Sequence, residues 1–488
     1  MAGRKSFKSD ISFLEKISMG ATGTSTVLKD LQTKGHSPIE LERGSTSFKI
    51  WKNIKIKRIR VPDILCLGCG KRIESRTKTK SEISMSHSLA DPERGWNRGL
   101  DNEDRIAFVV CRKESDIPTD WLPVGPIQYL RVKDLKKSQQ AGDAILTKPK
   151  GAQEGFEIRM IWPSVSANYP GMISSLRQKR IQYKRENDGR TITLQLFKKE
   201  KSMTPLVKIG EKVLENQVLA SVVPITSVFP CEKKVNADYY LRLLSSPAIS
   251  NRYMAAKALG FTDSPKIVEG LMKKMKDEGE HVYVRLEAAA GLARLGKSVG
   301  YTFMKKSLSD EYLQNRLETV IALGEIRYVT SSKLLVKTLL DKNQHAEIRA
   351  GAAWSLGELR YKMGIDALIS SFEEVDESIR VEAARALAKL AIKYTPQILG
   401  EFNKVSPQAL AGISWAVSKA GKFSISEISD LLVRDQARHW VAYLIGTQSQ
   451  DKYIHEIEQL REKDPEVYFA VTVLWKVMTS WIWDMEEY

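Results

Sequence analysis

The chain of 488 residues is long enough for two to four domains with cores of their own, and its 42% hydrophobic and 28% charged content excludes a disordered or fibrous protein. No apolar run reaches membrane-spanning length. The N-terminus, MAGRKSFKSD, lacks the apolar stretch of a secretory signal, so a cytoplasmic protein is expected. The net charge of +17 is divided unevenly: residues 1–240 carry 43 Lys/Arg against 27 Asp/Glu, and residues 241–488 carry 33 against 32. A basic half joined to a neutral half predicts that the first half faces a polyanion, nucleic acid ahead of an anionic membrane, because no basic amphipathic helix stands out.

In chain order, Ile11 to Thr33 reads as a helical region interrupted at Gly20 and Gly23, with an apolar face of Val27, Leu28 and Leu31 and a stop at Gly35. Pro38 to Glu42 and Ile50 to Val61 alternate apolar and polar residues, as strands with one wet face do. The second of these carries Lys52, Lys55, Lys57, Arg58 and Arg60, a set that suits contact with a phosphate backbone. The competing reading is a solvated edge strand whose charge guards against aggregation.

Val61 to Lys80, VPDILCLGCGKRIESRTKTK, reads as a hairpin turning at Gly68 and Gly70. Asp63 and Glu74 then face the same place, and two carboxylates on rigid strands offer hard oxygen ligands for Mg²⁺. Arg76 and Lys78 supply cations beside them. The stretch resembles the PD-(D/E)XK nuclease superfamily over residues 10–115: Pro62-Asp63 and Glu74 fit, while Arg76 stands where the family has lysine. Arginine can clamp a phosphate but cannot act as a base, and Lys78 lies on the same strand face. The resemblance implies an α/β domain with a mixed sheet, catalytic Asp63, Glu74 and Arg76 or Lys78, and Mg²⁺ held by Asp63 and Glu74. Glu15 is a candidate third carboxylate or, more commonly, a solvated helix residue. In the same hairpin, Cys66 and Cys69 have the C-X₂-C spacing of a zinc knuckle, for which Cys111, Cys231 and His87 are the remaining candidate ligands. Reduced thiols in a tight turn are the alternative.

Ile83 to Ser88 and Ile106 to Cys111 read as strands, and Trp121 to Leu135 as further β structure. Arg94, Trp96 and Arg98 cluster either to bind a base and phosphate or around a tryptophan that closes a core. Residues 136–175 read as a linker, and residues 176–232 as a small all-β domain turning at Asn187-Asp188-Gly189. Within it, LVKIGEKVLENQVLASV resembles the G-E-x-V-x-x-x-Q-x-L half-motif of barrel-sandwich hybrid domains, without the modifiable-lysine hairpin of the carriers.

From residue 236 the pattern changes. Arg252, Arg285, Arg316, Arg349 and Arg380 recur every 31 to 33 residues, each followed by a block of small residues and leucine. These blocks resemble HEAT repeats of the phycobilisome-lyase-like class, which implies an all-α solenoid over 236–488. The repeat arginine is expected to be structural. Trp481 and Trp483, near the end of the chain, either cap the solenoid or lie in a dimer or partner contact. Three functions compete: a Mg²⁺-dependent, nuclease-like enzyme on DNA, in processing or defence; a non-catalytic DNA/RNA-binding scaffold whose solenoid recruits protein; and a lyase-like assembly factor. The first is the leading expectation on the hairpin's spacing.

Overall fold

The computed structural model describes residues 10–47, 54, 59–148, 157–232, 234–420, 423–429, 431, 435–448 and 450–486. They form two compact units, one of residues up to Leu259 and one from Gly260 onward that also includes Ile54.

In the first unit, helix α1 (Asp10–Thr33) lies on a mixed sheet. The strands are β1 (Pro38–Glu40), β2 (Ile64–Cys66), β3 (Arg72–Lys78), β4 (Ile83–Ser88), β5 (Arg105–Lys113) and β6 (Trp121–Arg131). The sheet order is β1-β2-β3-β5-β6, and only β3 and β5 run parallel. The IAFVVC run is apolar throughout because β5 is covered on both faces. Ala107, Val109 and Cys111 pack with Val27 and Leu31 of α1. Ile106 and Phe108 pack the other way, with Met85, Trp96 and Trp162. Gly23 lets α1 sit close: a Cβ there would lie 1.8 Å from Thr77 Oγ1.

After β6 the chain departs from the sequence reading. Val132 to Gln140 is helix α2 rather than strand or linker, with Val132 and Leu135 closing the tryptophan-lined core. Residues 136–175 also contain β7 (Ile145–Thr147), β8 (Glu157–Trp162), β9 (Ser164–Ser166) and most of β10 (Gly171–Arg177). Strand β8 alternates burial along its length and pairs with β4 and β7 in a second sheet, which is why a stretch interrupted by glycine and lysine is not a spacer.

The small β region continues with β11 (Arg180–Arg185), β12 (Thr191–Gln195), β13 (Phe197–Lys198), β14 (Lys201–Ser202), β15 (Thr204–Pro205), β16 (Lys212–Val213) and β17 (Val218–Ser221). One sheet has the order β12-β11-β10-β16, another β15-β17-β9, and Ile173, Ile181, Tyr183, Val213 and Leu219 lie between them. The half-motif has local reasons here. Gly210 takes φ +83°, Glu211 accepts the Lys208 N–H, and Gln217 accepts the Leu214 N–H. Helices α3 (Ala237–Leu243) and α4 (Ile249–Leu259), the first helical hairpin, belong to this unit.

The second unit is all-helical in its described residues. Its hairpins pair α5 (Pro265–Lys276) with α6 (Val282–Arg294), α7 (Ser298–Ser307) with α8 (Leu313–Gly324), α9 (Val329–Leu340) with α10 (Ala346–Leu359) and α11 (Ile365–Ser370) with α12 (Glu377–Leu399). There follow α13 (Pro407–Ala420), α14 (Ile425–Ser429), α15 (Asp435–Gly446), α16 (Gln450–Glu458), α17 (Leu460–Lys463) and α18 (Pro465–Glu486). Small residues set the spacing between successive units: a Cβ on Gly357 would lie 2.8 Å from Ala386 Cα, so α10 and α12 touch backbone to backbone.

The recurring arginine ties the two helices of each hairpin together. Its guanidinium, at the start of the second helix, donates to carbonyls in the last turn of the first helix or in the loop between the two. Arg285 reaches Met275 O at 3.0 Å, Arg349 reaches Leu339 O at 2.7 Å, Arg380 reaches Glu374 O and Val375 O at 2.7 Å each, and Arg316 reaches Asp310 O. In the first unit Arg252 does the same to Ser246 O and Pro247 O. The period of the arginines is therefore the period of the fold.

Candidate functional site

Asp63 lies one residue before β2, and the β2–β3 register continued by one step sets it opposite Glu74. Its main-chain carbonyl accepts Leu41 N–H at 2.7 Å, and its Oδ2 accepts Ser75 N–H at 2.7 Å. Burial holds the Asp63 carboxyl well above the usual carboxylate range, and the charge of Glu74 pushes it further up. Burial likewise raises Glu74, while Arg76, 2.9 Å away in an ion pair, pulls it down. Glu74, Arg76 and Lys78 share one face of β3, opposite the face that meets α1. Burial, then Arg76, depresses Lys78 to about 8. Arg76 Nε beside the pair, and Ser75 Oγ and Thr77 Oγ1 on the α1 side of the strand, are buried without a hydrogen-bond partner. The two carboxylates thus fit part of a ligand set for a divalent cation. Among the described residues no third His, Cys, Asp or Glu completes it, and Glu15 instead pairs with Lys113 at 2.8 Å.

At the open end of the same sheet, Arg72 is buried and forms a two-pronged pair with Asp104, at 2.9 and 2.6 Å. It also reaches Asp101 at 2.9 Å and the Asn251 side chain of α4 at 3.0 Å.

The candidate phosphate contacts are dispersed. Lys52, Lys55, Lys57 and Arg58 lie outside the described residues, and Arg60 is exposed. Arg94 pairs with Glu157 at 2.9 Å and Arg98 with Glu93 at 2.7 Å, while Trp96 is buried edge-on against Trp162. A basic surface that sequence reasoning did not single out lies on the small β region. The outward face of β10, β11 and β12 presents Arg177, Arg180 and Lys184. They alternate with Met172, Ser175, Gln182, Thr191, Thr193 and Gln195, and no acidic residue of these three strands shares the face. Ile181 and Tyr183 point inward. The alternation Arg-Ile-Gln-Tyr-Lys in β11 was the available signal, once its inner face is known to be apolar.

The C-X₂-C turn draws two further ligands toward it. Cys66 Sγ is 3.9 Å from Cys231 Sγ, and Cys69 Sγ is 3.6 Å from His36 Nδ1. The donor atoms of all four residues lie within 4.8 Å of one another. Hydrogen bonding from Cys69, with main-chain N–H groups of Cys69 and Ser37, pulls the Cys66 thiol down to about 4, while Cys69 is pushed up by the same thiol pair. Cys111 and His87 are elsewhere. Cys111 sits in the core under α1, raised to about 11 by burial, and His87 Nδ1 accepts the Trp96 N–H.

On the solenoid, α18 buries Val467, Val471 and Trp475 and exposes Phe469 and Val473 on its other side. The side chains of Trp481 and Trp483 lie outside the described residues. No helix among the described residues is long and apolar enough to cross a membrane.

Residues 239–324 and 303–388 match the family of HEAT repeats. Among solved structures, a phycocyanin lyase complex of Nostoc sp. PCC7120 is 17% identical over 50% of this chain and 96% of its own, with a TM-score of 0.26. Human deoxyhypusine hydroxylase is 14% identical over 49% of this chain and 94% of its own, at 0.22. A designed armadillo repeat protein is 16% identical over 38% of this chain and 100% of its own, at 0.26. No curated protein matches the chain.

Proposed function

We propose that the chain is a non-catalytic scaffold that grips a nucleic-acid backbone with its basic first unit and holds a protein partner on its HEAT-repeat solenoid. The observation that carries this reading is the outer face of β10, β11 and β12, free of acids within the strands, where Arg177, Arg180 and Lys184 stand among serine, threonine and glutamine side chains and one exposed methionine, Met172. Cations neutralise phosphates and hydroxyls and amides donate to phosphate oxygens, a combination that positions a backbone without reading its bases. The solenoid supplies the second role: a HEAT array presents a long side-chain surface, and exposed Phe469 and Val473 add apolar area at its far end.

The test is the salt dependence of duplex binding, followed by fluorescence anisotropy, for the full chain and for an R177Q/R180Q/K184Q variant. Losing three phosphate contacts is expected to weaken binding at least about tenfold at low salt and to flatten the slope of log K against log salt by roughly 2–3. An unchanged slope would move the contact surface away from this sheet.

One observation favours a second reading, metal-dependent cleavage of a phosphodiester. Asp63 and Glu74 stand opposite each other with both carboxyls raised by burial, an arrangement that a divalent cation would relieve. In that reading Asp63 and Glu74 hold Mg²⁺, Arg76 clamps a phosphate oxygen and Lys78 serves as the adjacent cation. Against it, Asp63 already accepts a main-chain N–H and Glu74 is tied to Arg76.

A further inference from the structure

We propose that His36, Cys66, Cys69 and Cys231 form a structural zinc site that fastens the segment before α3 to the β2–β3 turn. The four donors already stand at tetrahedral spacings. In a tetrahedral site with Zn–S of about 2.3 Å and Zn–N of about 2.0–2.1 Å, sulfurs stand about 3.8 Å apart and sulfur and nitrogen about 3.6 Å apart. The Cys66–Cys231 and Cys69–His36 separations, 3.9 and 3.6 Å, match both values. A disulfide does not account for this spacing, since bonded sulfurs stand about 2.05 Å apart, and all four cysteines of the chain are free thiols.

The imidazole is oriented for the same role. His36 Nε2 lies 2.7 Å from the Phe229 main-chain oxygen, which can only accept, so Nε2 carries the proton. In the neutral ring Nδ1 is then the lone-pair nitrogen, and it faces Cys69 Sγ. A carbonyl that fixes the tautomer from behind is the usual outer partner of a metal-bound histidine. The ring also packs at a tilt against Phe229, two residues before Cys231, so one short segment supplies both the support and the fourth ligand.

The surrounding backbone is arranged to hold this shape. Gly70 takes φ +69°, and its N–H closes the knuckle onto Cys66 O at 2.8 Å. Val235 N–H donates to Gly68 O at 2.8 Å, and Tyr240 Oη donates to Leu67 O at 3.0 Å, which seats the segment around Cys231 on the turn. Four protein ligands leave no open coordination position, so the site is structural and not catalytic. Binding would release the thiol protons and hold together three segments that are remote in the sequence.

The test uses the full chain purified from zinc-supplemented culture. One equivalent of zinc per chain is expected by elemental analysis, and replacement with Co²⁺ should give the sulfur-to-cobalt charge-transfer band and intense visible bands of a tetrahedral thiolate site. Cys69→Ser, Cys231→Ser and His36→Ala should each lose most of the metal, and Cys111→Ser and His87→Ala should keep it. Should a ligand variant fail to fold, the metal content and cobalt spectrum of the unaltered chain still decide. A chain free of zinc that gives no cobalt spectrum, a Cys66–Cys231 disulfide in non-reducing peptide maps, or full metal retention in Cys231→Ser would overturn the assignment.

Discussion

Replacing Arg349 with methionine is expected to loosen the centre of the solenoid by about 2–4 kcal/mol. Arg349 is nearly buried, donates to Leu339 O at 2.7 Å and holds the Glu374 carboxylate at 2.6 and 3.1 Å. Methionine keeps the packing volume of the stem but strands a helix-end carbonyl and leaves Glu374 without its partner. The figure lies below that for a fully buried pair because Glu374, 18% exposed, can regain some water. Arg349 holds the Glu374 carboxyl below its ordinary value. A depressed acid contributes stability above its unfolded pKa and loses it as pH falls through the folded value, so the penalty of the substitution should shrink in acid. Repeat arrays open locally, so hydrogen exchange is the measurement: protection should fall in α9, α10 and α12 and hold in α5 and α6. Uniform loss of protection, or none, would contradict the role given to the arginine.

Arg72→Met is expected to cost the first unit about 3–5 kcal/mol, because it leaves Asp104 buried without a counter-charge. Both side chains are almost wholly buried, at 3% and 5% exposure. Burial raises the Asp104 carboxyl even with Arg72 beside it. A raised acid contributes its stability below the unfolded pKa and loses it as pH rises through the folded value. The deficit of the variant, measured by denaturant unfolding, should therefore be larger at pH 8 than at pH 5. A deficit independent of pH would mean that the loss is one of packing and not of charge.

The solenoid was legible because its structural device is periodic. One arginine per hairpin stands at the start of the second helix and reaches back to carbonyls before it, so the spacing of 31 to 33 residues reads directly as architecture. Strand β5 was legible for a similar reason, as a run buried on both faces has to be apolar throughout. The small β region showed its all-β character and its turn at Asn187 to Gly189, although β9 and β10 begin earlier than composition suggested. The cysteine cluster was half legible. The C-X₂-C turn is local, whereas Cys231 is 165 residues from Cys66 and His36 is 33 from Cys69, and only the fold joins them. The carboxylate pair shows the opposite limit: Pro62-Asp63 and Glu74 suggested chemistry, yet the structure also gives each carboxylate an internal partner. Trp96 illustrates the same ambiguity, since an aromatic flanked by arginines serves equally well to close a core.

The most direct measurement for the scaffold reading is incubation of the full chain with linear and circular duplex DNA, with and without Mg²⁺ or Mn²⁺, scoring binding and strand integrity in the same samples. DNA that is bound in a salt-sensitive manner and recovered intact with either metal is the predicted result. Metal-dependent cleavage that disappears in Asp63→Asn and Glu74→Gln chains would contradict it and make the carboxylate pair an active site.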